Sequence, residues 1–144
     1  MSDTAQGGLT AEAVQAMIDA SPFGAFLGLT VTEADAAAGR VAMTMPMRPE
    51  LERGGPMRGQ FHGGPVAALI DTAGDFAVAV AVGGGVPTMN FRVDYLRPSG
   101  GAALTATATA RRIGRTVAVV DVDVTDGEGR LTAIGRGTYS TQVG

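Results

Sequence analysis

Nineteen residues, Gly64 to Val82, read "GPVAALIDTAGDFAVAVAV". Their length and their alanines favour a helix, although "AVAVAV" on its own also fits a strand. Nearly every face of such a helix is apolar, which predicts burial on all sides. One chain can provide that cover only by curling a sheet around the helix. Asp71 and Asp75 stand inside the segment, which makes it too polar for a membrane span and poses the functional question. Gly83, Gly84 and Gly85 end it.

The flanking segments supply the sheet. Thr10 is placed to cap a short helix, Ala11 to Ala20, with Val14, Met17 and Ile18 on one face. Pro22 can start a second turn that Gly28 ends. Leu29–Ala36 and Arg40–Met47 read as strands joined by a tight turn. Residues 48–60, "RPELERGGPMRGQ", read as a mobile glycine-rich loop, either a lid or a plain surface connection. After the long helix come four strands: Val86–Leu96, Leu104–Arg112, Thr116–Val124 and a last one over residues 131–142, with "DGEG" as a hairpin turn. The expected organisation is a tail and short helix at residues 1–21, with 1–8 loose, followed by one domain at 22–142. Alternating Thr and Asp positions imply a partly solvated outer sheet face with room for another subunit.

Composition narrows the chemistry. The chain has 144 residues, 45% of them hydrophobic, which suits one domain with its own core. A net charge of -3 with no basic block argues against nucleic acid as a partner. With no cysteine, disulfides, thiolate metal sites and cysteine nucleophiles are excluded. The first residues, "MSDTAQGGLT", lack the basic and apolar regions of a signal peptide, so a soluble cytoplasmic protein is the expectation. Every basic residue is an arginine, whose planar fork suits phosphate.

The candidate site surrounds the start of the long helix. His62 is the one histidine, and Gly63-Gly64 follow it. Glycines let a ligand approach the backbone, and the first helical N–H groups are unpaired and carry the positive end of the helix dipole. Such donors polarise a carbonyl and stabilise an oxyanion. Asp71 and Asp75 lie at i,i+4, and two close carboxylates push at least one pKa upward, as a general base near neutral pH requires. Taken singly, His62 can be a loop residue and Asp75 a solvated or subunit-contact residue. Gly63 and Asp71 are separated by roughly 12 Å along one helix, too far to act on one small group. The donor and the carboxylate must therefore come from different subunits, with two helices side by side.

These residues carry a resemblance. "HGGPVAALIDTA" resembles the His-Gly-Gly…Asp signature of hotdog-fold thioesterases of the PaaI-like and 4-hydroxybenzoyl-CoA thioesterase group. "PTMNFRVDYLRP" is similar to that group's third strand, and "ARRIGRTVAVVDVDVTDGEGRLTAIGRGTYS" to its last three. The resemblance covers residues 22–142. It implies an α+β hotdog fold, a curled antiparallel sheet wrapped around a long central helix. It also implies homodimers or dimers of dimers that hydrolyse acyl-CoA thioesters at the dimer interface, with no cofactor beyond the coenzyme A of the substrate, no metal and no membrane.

The same resemblance assigns roles. Asp71 matches the carboxylate that is nucleophile or base, Gly63 the backbone donor, His62 the adjacent histidine that positions the thioester, and Thr88 a hydroxyl that holds the attacking water. Thr88 would come from the subunit that supplies Asp71. Gln60 and Gly64 are expected at the substrate, and Arg111, Arg112, Gly114 and Arg115 at the nucleotide end. The sequence departs from the pattern at Pro56, where relatives often carry Asn or Gln; Gln60 is the nearby substitute. Two other readings stand beside hydrolysis: an acyl-CoA-binding protein without turnover, and an enoyl-CoA hydratase, which would need a histidine after the aspartate rather than before it.

Overall fold

The structure is a computed structural model that describes residues 7–144. Most of the tail expected at 1–8 therefore lies outside the described residues. Helix α1 (Ala11–Ala20) begins where Thr10 accepts the Ala13 N–H on its hydroxyl at 3.1 Å. Helix α2 (Pro22–Leu27) starts on its proline and stops at Gly28, whose φ of 68° is left-handed. The strands are β1 (Thr30–Asp35), β2 (Arg40–Pro46), β3 (Thr88–Tyr95), β4 (Ala103–Ile113), β5 (Val117–Thr125) and β6 (Leu131–Ser140), with helix α3 (Gly63–Val82) between β2 and β3.

All strand pairs are antiparallel, in the order β1-β2-β4-β5-β6-β3. β3 reaches the edge by pairing with β6, the third strand after it in the chain, and the sheet curls around α3. On β4 and β5 the alternation works as expected: Ala106, Ala108, Val120 and Val122 are fully buried, while Thr107, Asp121 and Asp123 turn outward. The alanines bring the sheet backbone close to α3, where Val66, Leu69, Ile70, Ala73 and Ala77 fill the core. Truncating Leu69 or Ile70, both at 0% exposure, has a cost of about 2–5 kcal/mol. This is the hotdog arrangement, a curled antiparallel sheet around one long helix.

Two expectations need correction. Residues 48–60 are more than an irregular loop. They contain two short 3₁₀ turns, Pro49–Leu51 and Gly55–Met57, and Leu51 is buried at 1% exposure. And α3 is not enclosed on every side. Ala67, Ala68, Asp71, Thr72, Asp75 and Phe76 are half-exposed and recur at helical spacing as one stripe. A sheet covers only the side it wraps, and α1 with α2 covers only part of the rest. By length and a mean hydropathy of 1.6, α3 also passes as a membrane span, so its two aspartates do not exclude one on composition alone. Here its apolar residues pack on the sheet.

Candidate active site

The carboxylates lie on the open stripe of α3, and their surroundings differ. Asp71 Oδ1 accepts the Thr88 hydroxyl at 2.9 Å, and Oδ2 has no partner among the described residues. Thr88 stands at the start of β3, where a bulge between Thr88 and Asn90 leaves Met89 unpaired. Bulges re-aim side chains next to such sites. Asp75 is more deeply placed. Burial pushes its pKa up from 3.8 to about 6, against an N–H from Val86 at 3.4 Å that favours the charged form, while the negative charge of Asp71 pushes it further up. Both aspartates border a pocket of about 240 Å³ closed by Ile18, Ser21 and Phe23 from α1 and α2 and by Phe76.

The other half of the site is backbone. Phe61 N–H is bonded to Ser99 O at 2.7 Å and His62 N–H to Leu51 O at 2.8 Å, so the chain enters α3 tied on both sides. His62 is the helix cap. Its Nδ1 accepts the Gly64 N–H at 3.0 Å, which leaves the proton on Nε2. Of the two glycines, only Gly63 keeps a free N–H among the described residues, as the first residue of a helix does. Gly64 lines the cleft without offering its own donor. That cleft holds about 600 Å³ and is bordered by Gly63, Gly64, Tyr95, Arg53 and Arg97, within the range of small-molecule sites. Phe61 and Tyr95 give it an apolar side, and the start of α3 at Gly63 forms part of its border.

The remaining expected residues divide. Gln60 does not border this cleft; its side-chain oxygen accepts from Arg53 Nη1 at 3.0 Å, and it lies instead by Gly100 and Arg130. Pro56 sits on the exposed second 3₁₀ turn and borders neither pocket. Arg111, Arg112, Gly114 and Arg115 follow the end of β4. A side chain added at Gly39 would meet Ala110, Ile113 and the Ala77 carbonyl, so this turn lies by the C-terminal half of α3. From Gly63 to Ala77 is roughly 20 Å along the helix. Arg111 there pairs with Asp121 at 3.6 Å.

Two residues went unnoticed in the sequence. Tyr95 donates its hydroxyl to Gly63 O at 2.7 Å and so fixes the start of α3. Tyr139, fully buried, donates to the backbone carbonyl of Asp71 at 3.2 Å. Burial and the charges of Asp71 and Asp75 hold its hydroxyl well above the usual tyrosine range, so it stays a donor. Gly74 makes room for it: a methyl group there would overlap the tyrosine hydroxyl. The one cue in the sequence was that glycine inside an alanine-rich helix.

Comparison with known proteins agrees with this geometry. Residues 58–133, which contain the helix start, Asp71 and Thr88, match the profile of the Thioesterase superfamily. A Halobacterium salinarum protein provisionally named an esterase is 38% identical over 136 residues, covering 88% of each chain. The E. coli PaaI protein, from the phenylacetic acid degradation operon, superposes with a TM-score of 0.80 at 26% identity, over 92% of each chain. A thioesterase of Haemophilus influenzae superposes with a TM-score of 0.79 at 26% identity, over 92% of this chain and 90% of its own. Matched over more than half its length, with the long helix, strands β3 to β5 and the Gly63–Asp71 pair inside the match, the chain belongs to the thioesterase superfamily, a family of thioester hydrolases.

Proposed function

We propose that the protein is an acyl-CoA thioesterase whose active site forms between two copies of the chain. One observation carries the reading. Gly63, whose N–H is free among the described residues, borders one cleft and Asp71 another pocket, and the two residues lie roughly 12 Å apart along one helix. One thioester can meet both only if they come from two helices. β3 supports this arrangement. One side of it is an open sheet edge, with Met89 and Tyr95 more than half exposed beside the Arg92–Asp94 pair, and an open edge strand is a template for pairing.

In this reading the thioester carbonyl oxygen accepts the Gly63 N–H at the positive end of α3, where developing negative charge is stabilised. Asp71 of the second copy attacks the carbonyl carbon, or takes a proton from a water that Thr88 holds for the attack. The C–S bond breaks, and the thiolate of coenzyme A leaves and takes a proton from solvent; after attack by water the free acid forms directly, and after attack by Asp71 a water then hydrolyses the acyl–Asp71 anhydride to the free acid and restores the carboxylate. His62, committed by its Nδ1 to the cap, presents Nε2–H as a donor toward the thioester. Arg53 and Arg97 are the guanidinium groups bordering the cleft and face the phosphates. The Arg111–Arg115 turn, at the other end of α3, is left for the nucleotide end of a molecule bound across the dimer. The 240 Å³ pocket beside Asp71 takes an aryl or medium-chain acyl group.

The test is free-thiol release from benzoyl-, phenylacetyl- and 4-hydroxybenzoyl-CoA and from C4 to C16 acyl-CoAs. We expect turnover of at least one class, and a loss of about 10²–10⁴-fold in kcat for Asp71→Ala. Full hydrolysis by Asp71→Ala would overturn the mechanism. Tight acyl-CoA binding by the wild type without any thiol release would mark a binding protein instead.

A further inference from the structure

The reaction just described uses Asp71 and leaves Asp75 without a task, yet Asp75 is wired to the same place. Its Oδ1 accepts the N–H of Val86. Val86, buried at 5% exposure, precedes Thr88 by two residues as the chain enters β3. Thr88 is exposed, is followed by the bulge, and gives its hydroxyl to Asp71. Across the sheet Thr88 pairs with Tyr139, whose hydroxyl holds the Asp71 carbonyl. The contacts form a closed path: Asp75 to Val86, along the backbone to Thr88, across to Asp71, and back through one turn of helix.

We propose that Asp75 is a positioning residue for Asp71: it anchors the start of β3 so that the Thr88 hydroxyl meets the Asp71 carboxylate, and its own charge is felt by that carboxylate. The proposal rests on the thioester-hydrolase reading for the reaction that Asp71 performs. The titratable groups facing Asp75 are Asp71 on its own helix and Tyr139 on β6. α1 and α2 border the shared pocket with uncharged side chains only, among them Ile18, Ser21 and Phe23. With its pKa raised to about 6, Asp75 ionises across a range in which Asp71 must work. Once ionised it is a stronger acceptor for the Val86 N–H, and it places a second negative charge one turn of helix from the Asp71 carboxylate.

Two measurements test this. The first is kcat and KM against pH, from 5 to 8, on the preferred acyl-CoA, for wild type, Asp75→Asn and Asp75→Ala. We expect a step in the wild-type kcat near pH 6 that is absent from Asp75→Asn. Asp75→Ala loses the acceptor for Val86 and falls about tenfold in kcat with KM little changed, and Asp75→Asn, which keeps an acceptor, recovers most of that loss. The second is the pH titration of the Val86 and Thr88 backbone amide NMR signals. It reads the anchoring whether or not any acyl-CoA turns over. A shift with a midpoint near pH 6 in the wild type, lost in Asp75→Asn, supports the anchor. Amides that ignore pH near 6, or superimposable kcat profiles for wild type and Asp75→Asn, overturn the proposal. Titrating amides in a protein that hydrolyses nothing would overturn the reading of the reaction, and Asp75's part in it, while leaving the contact itself in place.

Discussion

The two edges of the sheet are finished in different ways. On the β1 edge a side chain takes the place of a neighbouring strand: the Gln15 amide, from α1, donates to Leu29 O at 3.0 Å and accepts the Val31 N–H at 2.7 Å. Glu33 and Arg40 add a charged pair there at 3.3 Å. The β3 edge has no such cover in the single chain and shows Met89, Phe91 and Tyr95 to solvent. Proteins commonly blunt an edge with charge or cover it; β3 has the exposed Arg92–Asp94 pair at 3.1 Å, yet its three large apolar side chains stay uncovered. β3 is also the strand that carries Thr88, the partner of Asp71. The closed edge has a structural task; the open edge carries the Thr88–Asp71 half of the proposed site.

The contrast can be broken most directly with a charge. Phe91→Lys on β3 is expected to shift the protein from dimer to monomer in sedimentation velocity. It should also lower kcat/KM by about 100-fold or more, because the two halves of the site would no longer meet. Thr30→Lys on β1 should change neither. A dimeric, fully active Phe91→Lys protein would remove β3 as the interface.

A smaller effect separates the anchors of the two edges by pH. Asp75 holds the entry to β3 and titrates; Gln15 holds β1 and does not. In the folded chain Asp75 keeps its proton up to about pH 6, and in the unfolded chain only up to its ordinary value of 3.8. Unfolding between these values releases a proton, so stability falls as pH rises through that window and stays lower above it. At about 1.4 kcal/mol per pH unit, the loss is about 3 kcal/mol. Asp75→Asn should therefore be more stable than wild type above pH 6 by up to that amount in urea unfolding, and should not gain at pH 4. A gain of equal size at both pH values would assign the effect to packing instead.

The smallest effect belongs to the closed edge. Gln15→Ala removes three hydrogen bonds, two to the β1 edge and one to Asp19, and should cost about 1–2 kcal/mol at every pH from 4 to 8, with the oligomeric state unchanged. New self-association in that variant would show that the amide clamp also guards against unwanted pairing.

Much of the fold was legible in the residues. Thr10, Pro22, Gly28 and Gly83 mark helix ends through capping and turn chemistry that acts within a few residues. The alternation in "ALTATATA" and "AVVDVDV" needs only the two-residue period of a strand to say which side chains face in. The apolar length of Gly64–Val82 called for a sheet wrapped around it, and Gly63 to Asp71 was already too long a step for one small substrate. All of these follow from local geometry or from distance along the chain.

What required the tertiary structure was every relation between segments far apart in sequence. No periodicity places Tyr139 under Asp71 or Tyr95 against Gly63, because those contacts depend on how the sheet curls. The capping role of His62 depends on the turn the chain makes after Leu51 and Ser99 have tied it. The open stripe on α3 was hidden as well. Hydropathy records that a residue is apolar, whereas cover depends on how far a six-stranded sheet and two short helices can reach around one cylinder. The sequence alone determined the helix, its two aspartates and their distance from Gly63 along it. The fold decided that those aspartates stand on the uncovered side, one accepting the Thr88 hydroxyl and one the Val86 N–H at the entry to the same strand.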